Sequence, residues 1–288
     1  MKRLAVLLGV AGVSLSAVFV RWSTAPSLVL AFYRMAFSAL LLAPVAVVRR
    51  GEFRALRRRE LLLSLLSGAF LGFHFTCYFE ALRWTSIASA VVLVDTEVLF
   101  VALASVLVLR KRLSRRAWAA VLLAFGGSVT VALADISAGA GALRGNLFAL
   151  SGALCMAAYT MLGTVCRRRL STTVYTWLVY AAAAGIVLAA ALAGRQPLTG
   201  RQPLTGWGPV NLLTALGMAV FCTLLGHSVF SWGLKFLPPA FISTVKLLEP
   251  VFASVWGLLL FAERPGFQVI LGGGVILLGI GLYSREEA

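Results

Sequence analysis

Lys246 and Glu249 are opposite charges inside an apolar run that extends from Ala240 to Phe261. They are three residues apart, so on a helix they lie on one face and can pair. Pro250 follows directly; it has no N–H to donate and its ring crowds residue 246, which predicts a helix break beside the charges. Charged groups in hydrocarbon cost roughly 2.5 to 3.5 kcal/mol each and therefore face a bundle interior or a wet cavity. The stretch is predicted to be a functional site or, alternatively, a structural ion pair that fixes one helix to its neighbours.

Three further charged residues, Arg34, Asp95 and Glu97, are predicted to lie deep in apolar segments. Asp95 and Glu97 lie about 200° apart around a helix, which prevents both from facing one cavity. Arg34 stays charged, so it needs an acidic partner or a route to the headgroups, and it could also bind a substrate carboxylate. Its candidate partners are Asp95, Glu97 and Glu80. Asp95 is expected to pair with either Arg34 or Lys246.

The deep charges are three carboxylates and two basic groups, a balance that suits a zwitterionic substrate. The carboxylate of such a substrate would bind Lys246, and its ammonium would bind Glu249 or Glu97. A carboxylate buried in the membrane can also take up a proton, which would couple transport to the proton gradient. The two hypotheses are compatible with each other.

A mildly polar face is predicted on the third apolar segment, where His74 and Tyr78 are four residues apart. Such a face could stack an aromatic group and hydrogen-bond a polar one, although Tyr and His also serve as bundle contacts. Tyr159, Trp232 and Ser243 complete the polar candidates, and side chains of this kind often bond a neighbouring helix instead. The predicted substrate-binding residues are Lys246, Glu249, Glu97, His74, Tyr78, Trp232, Ser243 and Tyr159, with Arg34 and Asp95 as structural or coupling charges and Pro250 as the helix break.

Hydrophobic residues make up 60% of the 288-residue chain and charged residues only 12%, which excludes an ordinary soluble domain and indicates a polytopic membrane protein. The net charge of +16 does not indicate nucleic-acid binding, because the basic residues lie between apolar runs, where they set topology and contact lipid headgroups. The four cysteines have no CxxC spacing and no His at ligand spacing, so neither a disulfide nor a metal site is predicted. No cofactor is expected, and the common motifs of hydrolases, metalloproteases and phosphate loops do not occur.

Ten apolar segments are long enough to cross a bilayer if about 20 residues make one crossing. With the N-terminus placed in the cytoplasm, 18 of the 26 basic residues fall in inside segments, six fall outside and two lie in the membrane. The positive-inside rule therefore predicts that both termini are cytoplasmic. The predicted spans are 4–21, 26–48, 61–80, 86–109, 116–135, 145–165, 173–193, 208–231, 239–261 and 265–283.

The second half of the chain repeats the first at an offset of 152 residues, which aligns Thr96–Phe100 with Leu248–Phe252 and places Glu97 on Glu249. Further matches at the same offset indicate a duplicated unit of five spans. An odd number of spans makes the second copy enter the membrane from the opposite side. The predicted fold is an all-α polytopic membrane protein with ten transmembrane helices, arranged as two inverted five-helix repeats at residues 1–138 and 139–288.

Four short motifs follow one another along the chain: Leu30–Arg34; Ala81–Ala90; Gly145–Leu150 with Ala157–Thr160; and Leu248–Phe252 with Glu263 and Arg264. In order, spacing and duplication the chain resembles the drug/metabolite transporter superfamily, specifically its ten-helix EamA-type branch and the amino-acid exporters of the YddG kind within it. The resemblance covers essentially the whole chain. It implies secondary transport, commonly export, of small metabolites such as amino acids across a bacterial inner membrane.

The predicted function is export of amino acids, aromatic or neutral, or of similar small metabolites, by rocking of the two halves about a central cavity. The expected partners are a small-molecule substrate and membrane lipids, with no nucleic acid, and the protein is expected to be a monomer or homodimer. One alternative is export of cationic drugs or polyamines, although the fixed charge of Lys246 would repel cations. An intramembrane lipid-modifying enzyme is the alternative from another class, and a channel or scaffold is a further one.

Overall fold

The computed structural model describes residues 1–84, 87–110, 113–132, 142–196, 208–262, 264 and 266–286, and these residues form helices and turns without a β-strand. The apolar runs form helices because a backbone in hydrocarbon must satisfy its own N–H and C=O groups internally. In chain order the helices are α1 (Lys2–Ser14), α2 (Ser16–Trp22), α3 (Ser27–Val48), α4 (Arg50–Arg54), α5 (Arg58–Trp84), α6 (Ile87–Asp95), α7 (Glu97–Leu107), α8 (Arg115–Ala132), α9 (Ala142–Cys166), α10 (Thr172–Ala193), α11 (Gly208–Gly217), the π-helix π1 (Met218–His227), α12 (Ser228–Gly233), α13 (Pro239–Lys246), α14 (Glu249–Phe261) and α15 (Phe267–Glu286).

Within the residues that the structure describes, seven helical stretches are long and apolar enough to cross a membrane: Lys2–Trp22, Ser27–Val48, Arg58–Trp84, Leu143–Cys166, Thr172–Ala193, Gly208–Gly233 and Pro239–Phe261. The remaining predicted spans coincide with α6 and α7, with α8, and with α15. The count of ten spans therefore stays a prediction. The predicted boundary between the halves, at residue 138, lies outside the described residues, as do Glu263 and part of the second motif.

Two of the apolar stretches are interrupted at corresponding places. The first interruption separates α6 from α7 at Thr96, and the second separates α13 from α14 at Leu247 and Leu248. Pro250 occupies the first turn of α14, where its missing N–H costs nothing. The two breaks fall at the same place under the 152-residue offset, and each has a glutamate as the next helix's first residue.

Most buried apolar side chains form two clusters. The first cluster joins α1, α7, α8, α12, α13 and α15 and contains Phe230. The second cluster joins α3, α5, α9 and α10 and contains Phe75 and Tyr159. Each cluster therefore combines helices from both halves of the sequence. The long helices also pack across the halves, α5 along α9 and α8 along α15, and the rocking of the two halves stays a prediction.

Small residues allow the closest of these approaches. A Cβ added to Gly279 on α15 would lie 2.7 Å from the backbone nitrogen of Ala124 on α8. A Cβ on Gly127 would likewise lie 2.7 Å from the carbonyl oxygen of Gly272. Gly, Ala and Ser in these positions let two helix backbones touch, as in other membrane bundles.

The eighth predicted span is not a uniform α-helix, because its middle is the ten-residue π-helix π1. The hydroxyl of Thr223 donates to the carbonyl oxygen of Met218, five residues earlier, at 3.3 Å. Wide turns of this kind occur frequently at functional sites. The apolar pattern of the sequence does not distinguish such a turn from an α-helix.

Candidate functional site

Lys246 and Glu97 form an ion pair at the contact between α13 and α7, with 2.5 Å between Nζ and Oε1. Only 15% of the lysine side chain and 6% of the glutamate side chain are exposed. The Oε2 atom of Glu97 is buried and has no hydrogen-bond partner among the described residues. The pair therefore faces the interior of the bundle, and its lysine end keeps limited access to solvent.

The predicted pairing of Lys246 with Glu249 is wrong. The helix ends at Lys246 and restarts at Glu249, so the two residues do not share the face of one continuous helix, and packing brings Glu97 to the lysine instead. Glu249 is partly buried and makes no ion pair or hydrogen bond within the described part of the chain. The charges of Lys246, Arg34 and Glu97 nevertheless act on this carboxylate.

Asp95 pairs with neither Arg34 nor Lys246, which corrects the sequence expectation. Its Oδ2 accepts a short hydrogen bond from the hydroxyl of Ser128 on α8. Because α6 ends at Asp95 and α7 begins at Glu97, the two carboxylates belong to different helices and reach different neighbours. Asp95 therefore links α6 to α8, while Glu97 links α7 to α13.

Arg34 is the second deeply buried cation, with only 3% of its surface exposed. Its Nε donates to the hydroxyl of Thr223 on π1 at 2.8 Å, and its Nη1 donates to Ser16 at 3.3 Å. The guanidinium carbon lies 4.9 Å from the centre of the Phe75 ring. Nη2 has no hydrogen-bond partner, and no acidic side chain of the described residues pairs with this guanidinium.

None of the acidic residues predicted as partners of Arg34 pairs with it, and each binds another side chain. Glu97 binds Lys246, and Glu80 pairs with Arg83 at 2.9 Å near the end of α5. The sequence could not exclude these partners, since depth in a span says nothing about which side chains meet across helices.

His227, the last residue of π1, lies where the two apolar clusters meet. Its ring centroid is 6.0 Å from Phe75 and 6.3 Å from Tyr159 of the second cluster, and 6.0 Å from Phe230 of the first. The ammonium of Lys246 lies 6.0 Å from the Phe230 ring. Arg34, His227 and Lys246 are therefore connected through a continuous row of aromatic rings. The buried Nδ1 of His227 has no hydrogen-bond partner in the described structure.

The other predicted site residues lie around this row of aromatic rings, and they differ in whether their polar atoms are already hydrogen-bonded. His74 bonds the carbonyl oxygen of Gly152 through Nδ1 at 3.0 Å and stacks on Tyr78, with ring centroids 6.3 Å apart. The hydroxyl of Tyr159 bonds that of Ser231 at 3.1 Å. His74 and Tyr159 thus already use polar atoms to hold helices together.

Ser243 and Trp232 differ in their surroundings. Ser243 is buried one turn before Lys246 on α13, and its hydroxyl has no partner among the described residues. Trp232 is partly buried and packs on Phe236, with ring centroids 5.2 Å apart. Ser243 therefore has a free polar atom beside the ion pair, whereas the described contact of Trp232 is with its own segment.

Arg167 is a structural residue that sequence reasoning assigned only to the basic loops. It is buried, and its guanidinium donates to the carbonyl oxygen of Ser231 at 2.9 Å, to the hydroxyl of Thr172 at 2.6 Å and to the carbonyl oxygen of Leu170. These bonds tie the connection between α9 and α10 to α12. Its position in a run of three arginines gave no signal of burial.

A surface recess lies apart from these groups. It has a volume of about 550 Å³, opens widely to the outside and is lined by Leu143, Arg144, Leu147, Phe148 and Ser151 of α9. Its largely apolar lining suits contact with lipid tails. The buried charges, which are costly in hydrocarbon, are the better candidate site.

The arrangement can bind rather than transform a ligand. It offers one cation with a free donor, one carboxylate without a partner, a hydroxyl, an imidazole and a row of aromatic rings. Such groups can hold a small molecule that carries both charges and an apolar part. Groups of these types, buried at the centre of an apolar helical bundle, are typical of a transport pathway.

Relatives named as transporters resemble this chain in sequence, and a solved structure shares its fold. The chain is 26% identical over 267 residues to the pseudopaline exporter CntI of Pseudomonas aeruginosa, which covers 92% of this chain and 88% of that one. It is 24% identical over 264 residues to an uncharacterised transporter of Archaeoglobus fulgidus, covering 90% and 88% of the two chains. A solved crystal structure matches with a TM-score of 0.79 and 15% identity, covering 99% of this chain and 98% of the other, and so shows the same fold.

The family model that matches is that of the EamA-like transporters, over residues 2–133 and 143–285. These two segments contain nearly the whole chain. The match confirms the coarse predictions of a multi-pass membrane transporter and of a protein that is not an enzyme. The chain belongs to the EamA-like transporter family.

Proposed function

We propose that this transporter exports amino acids, aromatic or neutral, or similar small metabolites across a bacterial inner membrane. The observation that carries the proposal is the buried polar centre, in which Arg34 has a free donor and Glu249 has no partner. An amino acid supplies a carboxylate for a cation and an ammonium for a carboxylate. The exporter name of the Pseudomonas relative supports the outward direction.

The aromatic row supports a substrate with an apolar or aromatic side chain. Phe75, Tyr159 and Phe230 surround His227 between the two charged ends of the site. Aromatic faces bind apolar and aromatic groups in offset or edge-to-face contacts, each worth about 0.5 to 1.5 kcal/mol beyond area burial. The proposal includes that this chain is one of the amino-acid exporters of the family.

Alternating access is the mechanism that suits the packing. The polar residues lie where the two apolar clusters meet, so a relative movement of the clusters would open this junction to one side and then to the other. Breaks at Thr96 and at Leu247–Leu248 provide places where a helix can bend. We take the two clusters, rather than the two sequence halves, as the bodies that move.

Two further features support the proposed topology of ten spans in two inverted repeats with cytoplasmic termini. The family model matches in two segments of similar length, and the helix breaks correspond under the 152-residue offset. Basic residues are concentrated in the segments assigned to the cytoplasm.

Uptake by proteoliposomes tests the proposed function. Purified protein is reconstituted and offered labelled amino acids, nucleosides and polyamines, and the same compounds are added to detergent-solubilised protein in thermal unfolding. Saturable uptake of one or more amino acids, with a raised unfolding temperature for the same compounds, is expected because a ligand stabilises the state that binds it. Saturable uptake of polyamines alone would favour the cation-export alternative and overturn the proposal.

A further inference from the structure

Arg34 stands out because a buried guanidinium normally has an acidic partner. Removing a charge from water costs several kcal/mol even after relaxation, and a nearby opposite charge usually offsets this cost. Here the described partners of the guanidinium are two neutral hydroxyls and an aromatic face. The described structure leaves this positive charge without a paired anion.

The guanidinium is also held in place rather than left mobile. Thr223 accepts from Nε while its own hydroxyl donates to Met218 in the π-helix, and Ser16 accepts from Nη1. These contacts come from two different segments, π1 and the start of α2. They fix the plane of the guanidinium and leave the Nη2 donors as the free end.

The imidazole of His227 lies beside the same aromatic ring as the guanidinium of Arg34. The ring of Phe75 contacts both groups, with 4.9 Å to the guanidinium carbon of Arg34 and 6.0 Å to the His227 ring. His227 is 4% exposed, and its Nδ1 has no partner within the described residues. Two buried side chains, each with a nitrogen atom that has no hydrogen-bond partner, therefore contact the same aromatic ring.

We infer that Arg34, assisted by His227, binds the carboxylate of the transported amino acid. This inference deepens the proposed function and rests on it. It favours Arg34 over Lys246 as the anion site; the sequence assigned the carboxylate of a zwitterion to Lys246 and left Arg34 as an alternative. That lysine already has Glu97 as its counter-ion at 2.5 Å, whereas no carboxylate of the described residues lies within ion-pair distance of Arg34. Glu249 has no ion pair or hydrogen bond in the described structure, and the charges of Lys246 and Arg34 act on it. It is the carboxylate left to bind the substrate ammonium.

The test compares free acids with their amides. L-phenylalanine, L-leucine and L-threonine are each offered to proteoliposomes as the labelled acid, with either the unlabelled acid or its amide as competitor. For equal inhibition of uptake by the wild-type protein, the amide is expected to be needed at roughly tenfold or more the concentration of the acid. The amide has no carboxylate to accept a charged hydrogen bond from Arg34. Equal inhibition by acid and amide would overturn the inference while leaving amino-acid transport intact.

Variants assign this preference to a residue. Arg34→Gln is expected to abolish the preference for the acid, and Arg34→Lys to retain part of it. Thr223→Val keeps the guanidinium but removes the acceptor of Nε, so a smaller loss of the acid preference is expected. This variant tests the inference if Arg34→Gln does not fold. An unchanged acid preference in both Arg34→Gln and Thr223→Val would contradict the inference.

Two controls separate the alternatives. Arg167→Lys alters another buried arginine whose donors already bind protein oxygen atoms, so it should lower the unfolding temperature without changing the acid-to-amide ratio. The double variant Glu97→Gln with Lys246→Met removes the other cation. Loss of the acid preference there, with retention in Arg34→Gln, would assign the carboxylate to Lys246 and overturn the inference. Absence of saturable amino-acid uptake by the wild-type protein would overturn the proposed function as well.

Discussion

Glu97 and Lys246 depend on each other for stability, since both are largely buried and their Oε1 and Nζ atoms are 2.5 Å apart. Lys246→Met leaves Glu97 buried without a counter-ion, and removing one partner of a buried pair costs about 3 to 5 kcal/mol. The double variant Glu97→Gln with Lys246→Met removes both charges and is expected to be more stable than Lys246→Met alone. Thermal unfolding in detergent measures this order, and a double variant less stable than the single one would contradict it.

Glu249 is expected to affect transport more than folding. It makes no ion pair or hydrogen bond in the described structure, so Glu249→Gln leaves no partner charge buried alone and should lower the free energy of unfolding far less than Lys246→Met does. Loss of its charge should reduce amino-acid uptake by roughly tenfold or more, because the substrate ammonium loses a charged partner.

Glu80→Gln is the matched control for this prediction. Glu80 pairs with Arg83, whose side chain is 62% exposed, so its removal should leave uptake near the wild-type rate. Equal uptake by Glu249→Gln and the wild-type protein, measured at equal amounts of folded transporter, would remove Glu249 from the site.

The buried charged residues are recognisable in the sequence, but their partners are not. Asp95, Glu97, Lys246 and Arg34 are recognisable because charges are rare in apolar segments. Which carboxylate meets which cation depends on contacts between helices that are far apart in sequence, such as α7 and α13. A periodicity within one helix cannot supply that information.

Among the elements, the contact between α8 and α15 depends on residues without side chains. Gly279→Ala places a Cβ against the backbone of Ala120 and Ala124, which cannot move aside as a flexible side chain can. We expect a loss of about 1 to 3 kcal/mol in unfolding free energy. Gly281→Ala on the same helix has no atom within 4 Å and should be neutral or slightly stabilising. Equal unfolding temperatures for the two variants would contradict this contact.

The elements show both what apolar pattern predicts and what it misses. Long apolar runs predicted the positions of the helices, and Pro250 predicted an interruption close to the turn at Leu247–Leu248. No proline marks the interruption at Thr96 in the sequence, and π1 has the same apolar pattern as an α-helix. At π1 the bond from Arg34 to Thr223 joins the wide turn to α3, and a pattern within one segment does not show such a contact between elements.

For the whole molecule, the inverted arrangement predicts that equivalent positions lie on opposite sides of the membrane. Arg83 and Lys235 correspond at the 152-residue offset, and both are exposed. In a background with the four native cysteines replaced by alanine, an impermeant thiol reagent should reach Arg83→Cys from outside intact cells and Lys235→Cys only in inverted vesicles. Labelling of both from the same side would contradict the inverted repeats; the cysteine-free background is the control for non-specific labelling.

If the buried polar centre carries amino acids by alternating access, wild-type proteoliposomes should show counterflow. Proteoliposomes loaded with an unlabelled amino acid are diluted into a trace of the same labelled compound. A carrier exposes its site to one side at a time, so the label should accumulate transiently above its equilibrium level in wild-type vesicles and far less in Arg34→Gln vesicles at equal protein content. Entry of label that never exceeds equilibrium, and that rises in proportion to concentration without saturating, would show a channel and contradict the claim.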